Sequence, residues 1–301
     1  MTDPVETRCG YVAILGTPNA GKSTLLNRLV GAKLSIVSPK VQTTRTKVLG
    51  IQVKGSAQIV YIDTPGIFRP KRRLDRAMVA AAWTGASDAD EVVLLVDAAG
   101  GIDEELRTII AQLTAQKRRA VLALNKIDAI KRDKLLGMAS SLDREGNFER
   151  IFMISALTGD GVSDLEAHLI GRLPLGPWLF PEDQLSDMPQ RLMASEVTRE
   201  QLYHQLHDEL PYETTVETEA WEEFNDGSAK ITQAIFVQRP TQTAIVLGKG
   251  GKRIKSISER ARLELERMFD RRIHLFLFVK IREGWLDERE RYDAIGLEWK
   301  E

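Results

Sequence analysis

Along the first 175 positions, apolar residues come in short runs separated by polar, glycine-containing breaks. Tyr11-Val12-Ala13-Ile14-Leu15 reads as a strand buried on both faces, and Leu25-Leu26-Asn27-Arg28-Leu29-Val30 keeps its leucines at helical spacing. The runs 48–53 and 57–62 flank Lys54-Gly55-Ser56 and predict two antiparallel strands joined by a tight turn. After a helix over 74–83, strand and helix alternate: strand 92–96, helix 104–116, strands 121–124 and 151–154, and a last helix 163–173. Such alternation predicts an α/β domain, a mostly parallel sheet with helices on both faces. Ligands in these sheets bind at the carboxyl ends of the strands.

The pattern breaks over 174–190, where Pro174, Pro177, Pro181 and Pro189 stand among Trp178, Phe180 and several acids. Proline at this density continues neither helix nor sheet. The expected division is a first domain over 1–175, a proline-rich linker over 176–192 and a second domain over 193–301. The aromatics predict that the linker packs against a domain. Beyond it come a helix from Met193 to about Leu210, then alternating runs 213–224 and 229–238 around the hairpin signal Asn225-Asp226-Gly227. A short apolar segment, 243–247, leads into Gly248-Lys249-Gly250-Gly251, a helix over 252–269 and a strand over 272–281. Ile254, Ile257, Ala261, Leu265 and Met268 keep helical spacing, so this half predicts a smaller α+β domain.

Composition sharpens the picture modestly. A chain of 301 residues with 43% hydrophobic content suits two cores better than one. Net charge is −1, so any basic surface is local. Cys9 is the single cysteine, which excludes an internal disulfide and reads as a small apolar filler in a reducing compartment. Neither a signal peptide nor a bilayer-spanning run stands out, so the expected location is cytoplasmic, with peripheral contact at the inner membrane left open. His168, His204, His207 and His274 lack metal-ligand company and read as surface or packing residues, and Trp285 and Trp299 as anchors of the tail.

Gly16-Thr17-Pro18-Asn19-Ala20-Gly21-Lys22-Ser23-Thr24 lies between the first strand and the first helix, the setting of a phosphate-binding loop. Its glycines let consecutive N–H groups wrap an anion at a helix N-terminus. Lys22 then reaches the outer phosphates and Ser23 ligates Mg²⁺. Asp63-Thr64-Pro65-Gly66, with Ile67 following, ends another strand: Asp63 can reach the same cation and the Gly66 N–H a γ-phosphate. In the polar loop 33–46, Thr43 or Thr44 is the candidate for closing over the metal, with Thr44 favoured. Asn125-Lys126-Ile127-Asp128 follows the strand 121–124. Guanine presents N1–H and N2–H₂ donors on one edge; a carboxylate accepts both, so Asp128 selects GTP and GDP over adenine nucleotides. Asn125 would tie this loop to the phosphate loop, the Lys126 stem would cover the base, and Ser155-Ala156-Leu157 would offer the Ala156 N–H to guanine O6. The catalytic set is Lys22, Thr44 and Gly66, and the metal set Ser23, Thr44 and Asp63.

In the second domain, Gly248-Lys249-Gly250-Gly251 joins the apolar segment to a helix that opens with Lys252, Arg253 and Lys255. From Leu247 to Arg272 nine Lys and Arg face four Asp and Glu, a local excess of five. A solvated helix face is the plain reading of that charge. The order helix, strand, strand, short helix, G-x-x-G, helix, strand is similar to a type II KH domain, whose turn grips about four unpaired nucleotides. Glycines permit close approach to phosphate and lysines supply charge. Ile245, Val246, Leu247 and Ile254 line a groove for bases or belong to the core.

With GTPNAGKSTLLN at 16–27, QTTRT at 42–46, DTPGI at 63–67, NKID at 125–128 and SAL at 155–157, ahead of the GKGG turn, the chain resembles the Era family of bacterial ribosome-assembly GTPases over most of its length. Thr17 and Ala20 depart from the Arg and Val usual there. The resemblance implies a P-loop GTPase domain followed by a type II KH domain, a monomer that hydrolyses GTP and acts in 16S rRNA processing and small-subunit assembly, gripping the single-stranded 3′ end of 16S ribosomal RNA. It also implies slow intrinsic hydrolysis, because Ile67 stands where Ras-like enzymes place a water-orienting Gln. Asn19 is the residue with which related GTPases bind K⁺. Two alternatives remain at this level: a nucleotide-gated RNA scaffold with incidental hydrolysis, and a membrane-linked signalling GTPase.

Overall fold

A computed structural model describes residues 6–40, 42–285, 288–294 and 296–299. The chain forms two compact units: one comprises residues 1–35, 44–187 and 296–301, the other residues 36–43 and 188–295.

The first unit holds a six-stranded sheet in the order β2-β3-β1-β4-β5-β6, made of β1 (Arg8–Leu15), β2 (Val48–Lys54), β3 (Ala57–Asp63), β4 (Glu91–Asp97), β5 (Ala120–Asn125) and β6 (Phe148–Met153). Only β2 runs antiparallel to its neighbour. Helices α1 (Lys22–Val30), α2 (Arg73–Asp88), α3 (Glu104–Ala115), α4 (Arg132–Glu145) and α5 (Val162–Arg172) connect the strands. Because helices cover both faces, the inner strands read as continuous apolar runs. Val12, Ala13, Ile14 and Leu15 of β1 and Val121, Leu122, Ala123 and Leu124 of β5 are fully buried.

Two helices are longer or newer than the apolar pattern predicts. α2 extends to Asp88, and α4 was not anticipated, since only Leu135, Ala139 and Leu142 of its charged sequence are buried. β6 begins three residues earlier than expected, at Phe148. The proline-dense stretch is strapped to this unit by Gln58. Its fully buried carboxamide accepts from the N–H groups of Leu179 and Phe180 and donates to the Phe180 carbonyl at 2.8 Å. Further on, the Leu185 carbonyl accepts from Ile51 N at 2.8 Å and Ser186 Oγ donates to Leu49 O at 2.7 Å, which covers the β2 edge.

The second unit contains α6 (Gln190–Gln205), β7 (Thr215–Glu223), β8 (Ala229–Val237), α7 (Pro240–Leu247), α8 (Lys252–Phe269), β9 (Ile273–Ile281) and α9 (Arg289–Ala294). Its sheet has the order β7-β8-β9, with β7 antiparallel and β9 parallel to β8. Ile257, Ala261 and Leu265 recur every four residues along α8 and bury against Ile231, Ile235 and Ile273 of the sheet. Burial of one such side chain contributes roughly 1.5–3 kcal/mol.

Candidate functional site

The helix N-termini of the first unit differ in how they are capped. At α3, Asp103 caps the helix by accepting from Leu106 N at 2.7 Å, and Glu104 and Glu105 follow in the first turn. At α1 the preceding residue is Gly21, left-handed at φ 98°, with no side-chain cap and no acid in the first turn. The first-turn N–H groups of α1 are thus presented without a protein anion, the arrangement that receives phosphate. Gly16 and Gly21 are obligatory for reasons internal to the fold. A Cβ at Gly16 would stand 2.3 Å from the Leu95 carbonyl oxygen, and one at Gly21 2.4 Å from Asn125 Nδ2.

Inside this loop Lys22 is only 6% exposed, and its Nζ donates to the carbonyls of Gly16 (3.2 Å) and Thr17 (2.9 Å). Burial pushes its pKa down to about 8 against the opposing pull of Asp63. Asn19 is exposed and left-handed, at φ 61°. Thr64 Oγ1 donates to Ile14 O at 2.7 Å and Ile67 N to Gly16 O at 3.0 Å, which draws the segment 63–67 against the loop. Gly66 fits there because a Cβ would meet Pro18 at 2.9 Å. Ile67 itself is buried in the sheet's hydrophobic cluster.

Asp63, at the end of β3, is fully buried, and Ser23 Oγ donates to its Oδ2 at 2.7 Å. Thr44 Oγ1 lies 2.9 Å from Ser23 Oγ and 3.3 Å from the same carboxylate oxygen. The hydroxyl of Thr43 is engaged elsewhere, donating to Lys40 O at 2.8 Å. Burial pushes the Asp63 carboxyl above the usual range, against the pull of Lys22 and of the hydroxyls around it. Asp63 Oδ1 is buried without a hydrogen-bond partner. An unsatisfied carboxylate oxygen beside two hydroxyls is an all-oxygen donor set that fits a hard cation such as Mg²⁺. Among the described residues no group of three or more His, Cys, Asp and Glu gathers.

At the next strand end Asn125, 2% exposed, spans two loops: its Nδ2 donates to Ala20 O at 2.7 Å and its Oδ1 accepts from Ala156 N at 2.9 Å. The Ala156 amide, expected to face the base, is therefore engaged by Asn125 here. Lys126 is left-handed (φ 64°) and its Nζ donates to Asp97 Oδ2 at 2.6 Å. Asp128 is exposed at the rim, Ile127 half-buried, and Ser155 and Ala156 buried, while Leu157 is 69% exposed. Arg28 Nε of α1 donates to Ala156 O at 2.8 Å.

In the second unit the turn 248–251 is open. Gly250 and Gly251 are left-handed, at φ 61° and 73°, and a Cβ on either would meet nothing within 4 Å. Lys249, Lys252 and Lys255 are exposed, whereas Arg253 folds back to donate to Ile245 O at 2.6 Å. Beside the turn lies an open groove of about 450 Å³ between α8 and β9, lined by Ile254, Lys255, Ser258, Glu259, Arg262, Leu275 and Leu277. Of the four apolar residues considered for its wall, Val246 is core, Ile254 lines the groove, and Ile245 and Leu247 are exposed.

The 50S ribosome-binding GTPase family matches residues 11–126, and the KH domain family matches residues 209–286. GTPase Era of Afipia carboxidovorans is 55% identical over 293 residues, spanning 97% of this chain and 95% of that protein. This chain belongs to the GTPase Era family. GTPase Era of Rhizobium meliloti is likewise 55% identical over 295 residues, covering 98% of this chain and 94% of the relative. An Era solved in complex with MgGDPNP and nucleotides 1506–1542 of 16S ribosomal RNA matches with a TM-score of 0.92 at 36% identity, over 96% of this chain and 99% of that one. An Aquifex aeolicus Era variant bound to GDP and AlF4⁻ matches with the same TM-score, identity and coverage. The architecture is thus that of the Era family, a P-loop GTPase domain followed by a KH domain. Among the described residues no helix is long and apolar enough to cross a membrane.

Proposed function

We propose that the protein is a GTP-hydrolysing switch whose KH domain binds the single-stranded 3′ end of 16S ribosomal RNA, and that it acts in the cytoplasm in 16S rRNA processing and assembly of the small ribosomal subunit. The observation that carries the reading is the gathering of Lys22, Ser23, Thr44 and the half-satisfied Asp63 around an uncapped helix N-terminus. Residues 16–24 and 63–67 would cradle the phosphates, and residues 125–128 and 155–157 the guanine. Mg²⁺, held by Ser23, Thr44 and Asp63, would neutralise charge on the β- and γ-phosphates. Lys22 exchanges its two carbonyl acceptors for phosphate oxygens, and the Gly66 amide stands by for the γ-phosphate. Asp128, exposed at the rim, accepts from the guanine edge. Since Ile67 points into the core, the attacking water is positioned by backbone or by a partner, and hydrolysis without one is slow.

Gly248, Lys249, Gly250 and Gly251 with Lys252, Arg253 and Lys255 would grip the RNA backbone beside the groove. Support comes from the relative solved with a 16S fragment. The test is binding of that RNA 3′ end at several salt concentrations, with single-turnover hydrolysis measured with and without it. Salt-sensitive binding and faster hydrolysis are expected; hydrolysis unchanged by bound RNA would leave the chain a scaffold. Asn19 is the proposed K⁺ ligand, and equal rates in K⁺ and Na⁺ would remove that role. Peripheral contact with the inner membrane would draw on the same exposed lysines, and competition between anionic vesicles and RNA would reveal it.

A further inference from the structure

Besides Ser23 and Thr44, a third hydroxyl meets Asp63, and no motif contains it. Ser35 Oγ donates to Asp63 Oδ2 at 2.7 Å, and Ser35 is 3% exposed. Its backbone is gripped by one side chain of α1. Asn27 Oδ1 accepts from Leu34 N (2.8 Å) and Ser35 N (2.9 Å), and Asn27 Nδ2 donates to Ser35 O at 2.7 Å. Asn27 lies four residues after Ser23, one turn along the same helix face. The helix that presents one cation-side hydroxyl thus also fixes the donor that orients the carboxylate.

The three donors differ in what else they must do. Ser23 and Thr44 turn lone pairs toward a cation; Thr44 and Ser35 both lie in the polar loop 33–46, but the backbone of Ser35 is tied to α1, through Asn27. Ser35 has no such second task, and its position follows α1. We propose that Ser35 is a positioning residue for the divalent cation: through Oδ2 it holds Asp63 in the orientation that leaves Oδ1 free for the ion and its waters. This inference rests on the cation reading above. Partners that orient a metal-binding carboxylate typically change metal affinity about 10- to 100-fold when removed.

The test is release of fluorescent GDP from the full-length protein as free Mg²⁺ is varied. In the wild type, Mg²⁺ slows release with a defined midpoint. Ser35→Ala is expected to raise that midpoint roughly tenfold, with release in chelator at the wild-type rate. Ser35→Cys keeps the shape with a weaker donor and is expected to fall between; it serves if the alanine variant folds poorly. A role confined to packing would lower the melting temperature and leave both midpoints in place, which overturns the inference alone. Wild-type release indifferent to Mg²⁺ would overturn the cation reading and this inference with it.

Discussion

The chain contains two glycine-rich turns that open helices, and they use glycine for opposite reasons. In the loop 16–21, a side chain at Gly16 or Gly21 would collide with Leu95 or Asn125, so the protein's own packing demands glycine. In the turn 248–251, Gly250 and Gly251 face open space and only their left-handed backbone excludes larger residues. The lysines differ in the same sense: Lys22 is buried on two carbonyls, while Lys249, Lys252 and Lys255 stand in solvent. A small ligand of fixed shape is met by a site assembled beforehand. On the function proposed above, a polymer with a variable path would be met by charge and an unobstructed approach.

The sharpest way to break this comparison is Lys22→Ala. Losing a buried charged donor to phosphate is expected to lower hydrolysis on the order of 10²–10³-fold while RNA binding without nucleotide persists, measured by single-turnover assay and RNA titration. Asp128→Asn, which keeps one acceptor and loses the other, is expected to weaken GDP by about 10- to 150-fold, one charged hydrogen bond worth roughly 1.5–3 kcal/mol. Xanthosine diphosphate, with a carbonyl at position 2, should gain. In the open turn, Gly250→Asp with Gly251→Asp places strained carboxylates where phosphate approaches. Two added negative charges repel the phosphate backbone, so RNA binding is expected to weaken by about tenfold or more, with hydrolysis in the absence of RNA unchanged.

The smallest effect is a pH dependence confined to the closed loop. Empty-site Lys22 has its pKa lowered to about 8, from 10.5, chiefly by burial. Above about pH 8 the empty site sheds this proton, which the bound triphosphate requires, so nucleotide affinity falls by up to about tenfold per pH unit. Between pH 8 and 10.5 the unfolded chain holds the proton that the empty folded chain has lost. Over that window this group therefore raises the stability of the empty protein as pH rises. Titrating affinity and thermal stability from pH 7 to 10 checks both signs.

The strand-end positions of 16–24, 63–67 and 125–128 were legible because each segment needs a local backbone form next to a parallel strand, which leaves a spacing in the sequence. What was missed lacks such local signatures. α4 carries three buried apolar residues in a charged stretch, too thin a stripe to stand out. The short helix read over 243–247 starts three residues earlier, at Pro240, as α7. Thr43 and Thr44 are chemically alike, and only their partners in the fold separate them, Lys40 O for one and Ser23 with Asp63 for the other. Ser35 and Asn27 meet across a helix-to-loop step whose geometry no residue pattern encodes. The grouping of 36–43 with the second unit is a tertiary fact of the same kind.

The burial of Ile67 limits how this enzyme's clock can be reset. A glutamine there would have to leave the cluster around Ala13, Leu15 and Val96, opening a void, or strand its amide inside it at a cost of about 1–3 kcal/mol. Either change damages the domain before it speeds turnover. A faster enzyme is thus out of reach by one substitution at this position.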